Sequence, residues 1–251
     1  MKRQLNLFLH ALQFYSRIPV GRTDYSEDNL TRSLRYFPLV GIITGAVGGA
    51  VFMLCMLAFP QTISATAAII AMVGVTGALH EDGLSDFFDG FGGGYMKERI
   101  LEIMKDSRIG VYGVISLLFL FLAKFSLYVS MNVQHLPVVL IAAHASSRFV
   151  PVVLMRTSTY VRTESSKSSH SRNHPTNITL IIAFIFAVLP LIFIPWQITL
   201  IVAAVYTLIL IFLKRYTEKK IGGFTGDILG TLQQFCEVAF YLAYTGIISY
   251  I

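Results

Sequence analysis

Residues 37–59 read FPLVGIITGAVGGAVFMLCMLAF, twenty-three positions without a charged side chain. At about 1.5 Å per residue, such a run is long enough to cross a hydrocarbon core of roughly 30 Å. Outward from it, comparable runs cover about 62–80, 110–132, 137–155, 178–195, 198–213 and 231–250. Short breaks at Pro60-Gln61, at Asn132 to His135 and at Pro195-Trp196-Gln197 make tight hairpins between successive runs. Of the 251 residues 55% are hydrophobic and 14% charged, too few charges to clothe a water-facing surface, where about a quarter is usual. The expected fold is all-α: a polytopic integral membrane protein of about seven transmembrane helices. There is no separate soluble domain and no internal repeat, so residues 1–251 read as one membrane-embedded catalytic domain.

Positive charge orients the runs. Lys2, Arg3, Arg17, Arg22, Arg32 and Arg35 precede the first, and segments 81–109, 156–177 and 214–226 hold four Lys or Arg each. Eighteen of the twenty basic residues thus fall on one side of a seven-span topology, and the three hairpins on the other side hold none. The positive-inside rule puts the N-terminus and the longer loops in the cytoplasm of a bacterial inner membrane. The net charge of +6 follows from this bias. Spread over juxtamembrane loops with no nucleic-acid-binding module, it fits contact with membrane lipid headgroups and not with DNA or RNA.

At the start, MKRQLNLFLHALQFYSRIPV has an apolar run broken by His10 and Gln13 and no small-residue cleavage site, unlike a signal peptide. Leu5, Phe8, Leu9, Leu12 and Tyr15 share one helical face, as in an amphipathic helix lying in the interface or packed on the protein. Cys55 and Cys236 sit apart in apolar runs with no CxxC pattern, which makes them small buried hydrophobes.

The chemistry is concentrated in ALHEDGLSDFFDGFGGG, residues 78–94, at the cytoplasmic end of the second run. On a helix turning about 100° per residue, Asp82, Asp86 and Asp89 form one stripe, with Glu81 on a neighbouring face. Stacked like charges at a membrane edge repel unless a cation intervenes, and Mg²⁺ takes carboxylate oxygens together with waters or phosphates. A metal site is favoured here over a merely solvated acidic helix end. Gly92, Gly93 and Gly94, with Gly90, end the helix in a backbone that phosphate oxygens can approach. In RILEIMKDSRIGVYG, Lys105 and Arg108 are candidates for gripping a pyrophosphate, while Asp106 is either a ligand or a partner for Arg108.

A second cluster, KKIGGFTGDILGTLQQFCEV, places Asp227 at the cytoplasmic end of the last run and Glu237 within the membrane. Arg148 or Lys124 would neutralise Glu237; His144 and Arg148 share a face, and Arg148 is directed to an interior polar cavity or to substrate. Carboxylate-bound metal, glycine-rich turns and basic side chains together suit transfer at phosphorus.

At HEDGLSDFFDGFGGG, RILEIMKDSRIGVYG and GGFTGDILG, and at FYSRIPV and FPLVGIITG, the sequence resembles the cobalamin synthase (adenosylcobinamide-GDP ribazoletransferase) family, over nearly its whole length. Gln234 departs from the Glu frequent at that place in the family. The resemblance implies a Mg²⁺-dependent inner-membrane enzyme that joins adenosylcobinamide-GDP to α-ribazole, or its 5′-phosphate, and releases GMP. It further implies that Asp82, Asp86 and Asp89 hold the metal and that Glu81 helps as ligand or base. Lys105 and Arg108 then grip the pyrophosphate, and Asp227 completes the metal site or orients the nucleophile. A CDP-alcohol phosphotransferase or prenyltransferase is the rival reading, although DGLSDFFDG lacks the DGxxAR opening of the former. A transporter fits less well, because the acids gather at one membrane face and not at mid-depth.

Overall fold

Helices occupy each of the seven apolar runs. The computed structural model describes residues 2–21, 26–161 and 174–250; Arg22, Arg162, Lys167 and Arg172 of the charge pattern lie outside these. α1 (Lys2–Tyr15) and α2 (Glu27–Ser33) precede α3 (Phe37–Cys55), whose Pro38 sits in the first turn, where no intrahelical N–H is needed. α4 (Gln61–Thr76), α5 (Leu79–Gly93), α6 (Lys97–Ile103) and α7 (Val111–Ser130) follow. α8 (Leu136–Ser147), α9 (Phe149–Thr157), α10 (Asn177–Val188), α11 (Trp196–Ile221) and α12 (Gly226–Ile247) complete the bundle.

By length and apolar composition, Asp28–Cys55, Val111–Ser130, Leu136–Thr157 and Trp196–Ile221 can cross a membrane, and α4 with α5 makes a fifth span if taken together. This is fewer than the seven runs, for two reasons. The α10 segment is short, its apolar stretch ending at Phe193. α12 carries Asp227, Gln233, Gln234 and Glu237, and it is the interior helix of the bundle, packed on α5, α7, α8, α9 and α11. Gln233, Gln234 and Glu237 face protein. Lipid-facing apolar surface belongs instead to α7, α10 and α11, where Val111, Phe119, Ile178, Ile181, Leu208 and Phe212 are all exposed.

The connections sort to two ends. At one, Gln61 donates to the Tyr128 and Met131 carbonyls (3.1 and 2.8 Å), satisfying acceptors at the end of α7, and Tyr244 Oη meets His135 Nδ1 at 3.0 Å. At the other, Arg17 N–H donates to Val75 O (2.7 Å), Ser158 donates to Glu218 (2.7 Å), and Tyr160 pairs with Phe224 in an isolated bridge. The hairpins and the longer loops therefore segregate as the charge pattern requires.

α3 packs on α8 nearly backbone to backbone. A Cβ added at Gly45 would lie 2.6 Å from Ile141 Cα, and one at Gly41 would strike the His144 carbonyl. Small residues one turn apart permit this approach, which fixes the part of α8 that carries His144 and Arg148. α1 is the packed helix of the two expectations for it: Leu7, His10, Ala11 and Leu12 are buried, with Ala11 and Leu12 clustering with Val40, while Leu5 is 59% exposed. Cys236 is buried and Cys55 half-buried, and neither is in a disulfide.

Candidate active site

The second run is not one straight helix. α4 stops at Thr76, Gly77 and Ala78 both take the left-handed conformation (φ 64° and 59°), and α5 leaves at 88° to α4. A positive φ is ordinary for Gly77 but costs roughly 1–2 kcal/mol for Ala78. HEDGLSDFFDG is therefore a separate helix, not the end of a span, and each of its faces meets different surroundings.

The open face carries Asp82, which is exposed, and Asp86, which is half-buried. Between them Gly83 presses on the first turn of α12: an added Cβ would stand 2.9 Å from both Asp227 Cα and Asp227 O. Thr231 Oγ1 donates to Gly83 O at 3.2 Å across the same crossing. The Asp227 carboxylate accepts from Thr225 Oγ1 (3.2 Å), and Thr225 also caps α12. That contact sets the first turns of α5 and α12, with Asp82 and Asp227, against each other, and Asp86 lies one turn further along α5. The positive ends of those helix dipoles offset part of the carboxylate repulsion and favour an incoming anion.

Asp89 does not share this face. It is buried, and its two oxygens accept from Gly110 N (2.7 Å) and Gly113 N (2.9 Å), the orphan amides that open α7. A side chain at Gly110 or Gly113 would collide with that carboxylate. Asp89 is the anchor of the α6–α7 loop, a correction to its reading as a metal ligand. The loop bears Lys105, exposed, and Arg108, with a side chain 87% exposed. Arg108 holds Asp106 in a fork, Nε–Oδ1 at 3.0 Å and Nη2–Oδ2 at 2.6 Å. That hydrogen bonding draws the Asp106 carboxyl down to about 2 and raises the Arg108 guanidinium.

The glycine run is also corrected. Gly92 and Gly93 lie inside α5, and Gly94 N–H donates to Gly90 O (2.9 Å), so these amides serve the helix and not an open phosphate loop. The residues are small because Gly90, Gly92 and Gly94 face Met104, Tyr112 and Ile100.

Glu81, adjacent to Asp82, turns the other way into the bundle. Its Oε1 accepts from Gln234 Nε2 (3.2 Å) and lies 4.0 Å from Lys124 Nζ. Lys124 Nζ is 2.7 Å from Glu237 Oε1, and Glu237 also accepts from Gln233 Nε2 (2.7 Å) and Tyr241 Oη (3.3 Å). Arg148 is buried, its Nη1 donating to both Nδ1 and O of His144 (2.8 Å each), with the guanidinium 5.7 Å from the Phe37 ring centre. Glu81 and Arg148 are interior groups, away from the open carboxylates, and Arg148 lines an interior polar cavity, the first of the two expectations for it. Sequence reasoning underrated this cluster and missed His80 and Gln233. Its visible signal was Lys124 and Glu237 within otherwise apolar helices, but only the fold shows that they meet.

Comparison with known proteins supports the same assignment. The family model for cobalamin-5-phosphate synthase matches residues 7–245. An adenosylcobinamide-GDP ribazoletransferase from Shewanella amazonensis is 39% identical over 247 residues, covering 96% of this chain and 95% of the relative. One from Vibrio cholerae is 38% identical over 245 residues (96% and 94%), and one from Shewanella frigidimarina is 40% identical over 246 (96% and 94%). No solved structure matches the chain. With motifs, membrane helices and full-length similarity in agreement, the chain belongs to the cobalamin-5-phosphate synthase family and is a transferase of cobalamin synthesis.

Proposed function

We propose that the protein joins adenosylcobinamide-GDP to α-ribazole, or its 5′-phosphate, at the surface where α5 crosses the start of α12, with Mg²⁺ as its cofactor. The observation that supports this reading is the Gly83–Asp227 contact, which sets the first turn of α12 against the helix that bears Asp82 and Asp86, in a chain of this family. Among the described residues no three His, Cys, Asp or Glu side chains enclose a metal by themselves. The donor set nevertheless fits Mg²⁺, which is commonly held by one or two carboxylates and completed by water and substrate phosphates. Asp82 and Asp86 would hold it, with Asp227 opposite. Bound there, the ion supplies positive charge against the oxygens of the diphosphate.

The chain's own groups do the rest. In the reaction, the ribose 3′-hydroxyl forms a new bond to the phosphorus next to the corrinoid arm, and the bond from that phosphorus to GMP breaks. Asp227, fixed by Thr225 and by the Gly83 crossing, orients the hydroxyl and receives its proton. Lys105 and Arg108 lie on the loop that Asp89 ties to the same helix, and they meet the departing GMP phosphate. Arg108 exchanges its Asp106 partner for that phosphate. The excess of Lys and Arg in the loops at this end supports a cytoplasmic orientation in the inner membrane, with anionic lipid headgroups close by.

The test is turnover by purified protein given adenosylcobinamide-GDP, α-ribazole and Mg²⁺. Cobalamin and GMP should appear in equal amounts and stop when the metal is chelated. Turnover of a CDP-alcohol in place of these substrates would assign the face to the rival chemistry.

A further inference from the structure

The interior cluster encloses a cavity of about 10 Å³, room for about one water molecule. Its polar lining is Thr76, His80, Glu81, Lys124, His144, Arg148 and Gln234, none more than 6% exposed. Buried polar atoms are almost always hydrogen-bonded, yet several in this lining have no partner: both His80 nitrogens, Glu81 Oε2, His144 Nε2, Arg148 Nε and Gln234 Oε1. An arginine only donates, so His144 Nδ1, 2.8 Å from Arg148 Nη1, accepts, and Nε2 carries the ring hydrogen. His144 Nε2–H then faces Glu237 Oε1 at 3.5 Å, which leaves Arg148 Nε–H and one His80 N–H as the unmet donors. The unmet acceptors are Glu81 Oε2, Gln234 Oε1 and the other His80 nitrogen. A water molecule, which gives two hydrogen bonds and takes two, can link two of these donors to two of these acceptors.

We infer that this cavity is a built water site, and that the water, donating to Glu81 Oε2 and accepting from Arg148 Nε–H, fastens the acidic helix α5 to α8 in the membrane interior. Glu81 is next to Asp82 on α5, which Gly83 and Asp89 already tie to α12 and α7; a tie to α8 is the remaining one. Glu81, Arg148 and the water supply it. These are positioning groups, acting on the reaction through Asp82 and Asp86. The water site stands on the cavity alone; its effect on turnover rests on the function proposed above.

A density map of the full chain in lipid nanodiscs, without substrate or metal, tests the site at a resolution that shows ordered solvent. Density between Glu81 and Arg148 is expected; an empty cavity, or the two side chains in direct contact, overturns the proposal. Val73→Ile pushes a methyl group into the same cavity from α4. The expected result is loss of the water, a lower melting temperature and a severalfold fall in kcat with KM for the GDP-activated substrate unchanged. Filling a dry cavity would instead raise the melting temperature, and a variant that loses the water but keeps its kcat would remove the positioning role. Failure of the magnesium reading would show separately, as metal-independent turnover by the unaltered chain.

Discussion

Glu81 and Asp82 are neighbours in the chain and opposites in the structure. Asp82 stands in the open, with Asp86 half-buried one turn along and the first turn of α12 beside them. Glu81 is buried against Gln234, with the Lys124–Glu237 pair beyond. The difference teaches that acidic residues in one motif divide into two tasks. Under the function proposed above, one set meets substrate and the other holds the first in place.

The largest effect that would sharpen this division is expected in the buried region. Lys124→Met leaves Glu237 without its nearest cation and should destabilise the protein by about 3–5 kcal/mol, the cost of breaking a buried pair from one side. Adding Glu237→Gln should recover most of the loss in a thermal-unfolding assay. If the double variant is no better than the single, the pair is not an isolated unit. On the open face, Asp82→Asn or Asp86→Asn should leave the melting temperature nearly unchanged. Each should lower kcat by about 10²–10³-fold, as when one electrostatic stabiliser of a transition state is removed. A melting temperature that fell with activity would erase the contrast between the regions.

Between these extremes lies the crossing that joins them. Gly83→Ala would drive a methyl group against the Asp227 backbone, at a cost of about 1–3 kcal/mol for overpacking, and should reduce activity as well as stability.

The smallest effect concerns the exposed Asp106–Arg108 fork. The Asp106 carboxyl is held at about 2, below its ordinary 3.8, so the pair's contribution is complete above pH 3.8 and disappears only as pH falls through about 2. The KM for the GDP-activated substrate should therefore show no titration of this pair between neutral and weakly acidic pH. Asp106→Asn, which frees Arg108 for phosphate, should lower that KM a few-fold; a raised KM would mean that the fork itself is what the substrate recognises.

Much of the architecture was legible because membrane crossing imposes a signal on composition. The apolar runs and the absence of Lys and Arg from the three hairpins gave the helices and the two ends of the bundle. The acidic stripe was legible too, since Asp82 and Asp86 share a face whatever helix carries them. The elbow was not. Nothing in the run up to His80 announces that Ala78 will adopt a positive φ, and helical periodicity continues across the break. Asp89 was misread because its partners are the amides of Gly110 and Gly113, groups that every residue but proline possesses. The glycines of 90–94 were misread because glycine serves close packing as well as anion binding. The interior cluster was hidden by separation: Glu81 and Gln234 meet across 153 positions.

The right-angle bend between α4 and α5 has a geometric consequence. With α4 and α5 at right angles, the successive turns of α5 spread sideways from the end of α4. Asp82 and Asp86, one turn and about 6 Å apart along the α5 axis, then form a shoreline instead of a shaft.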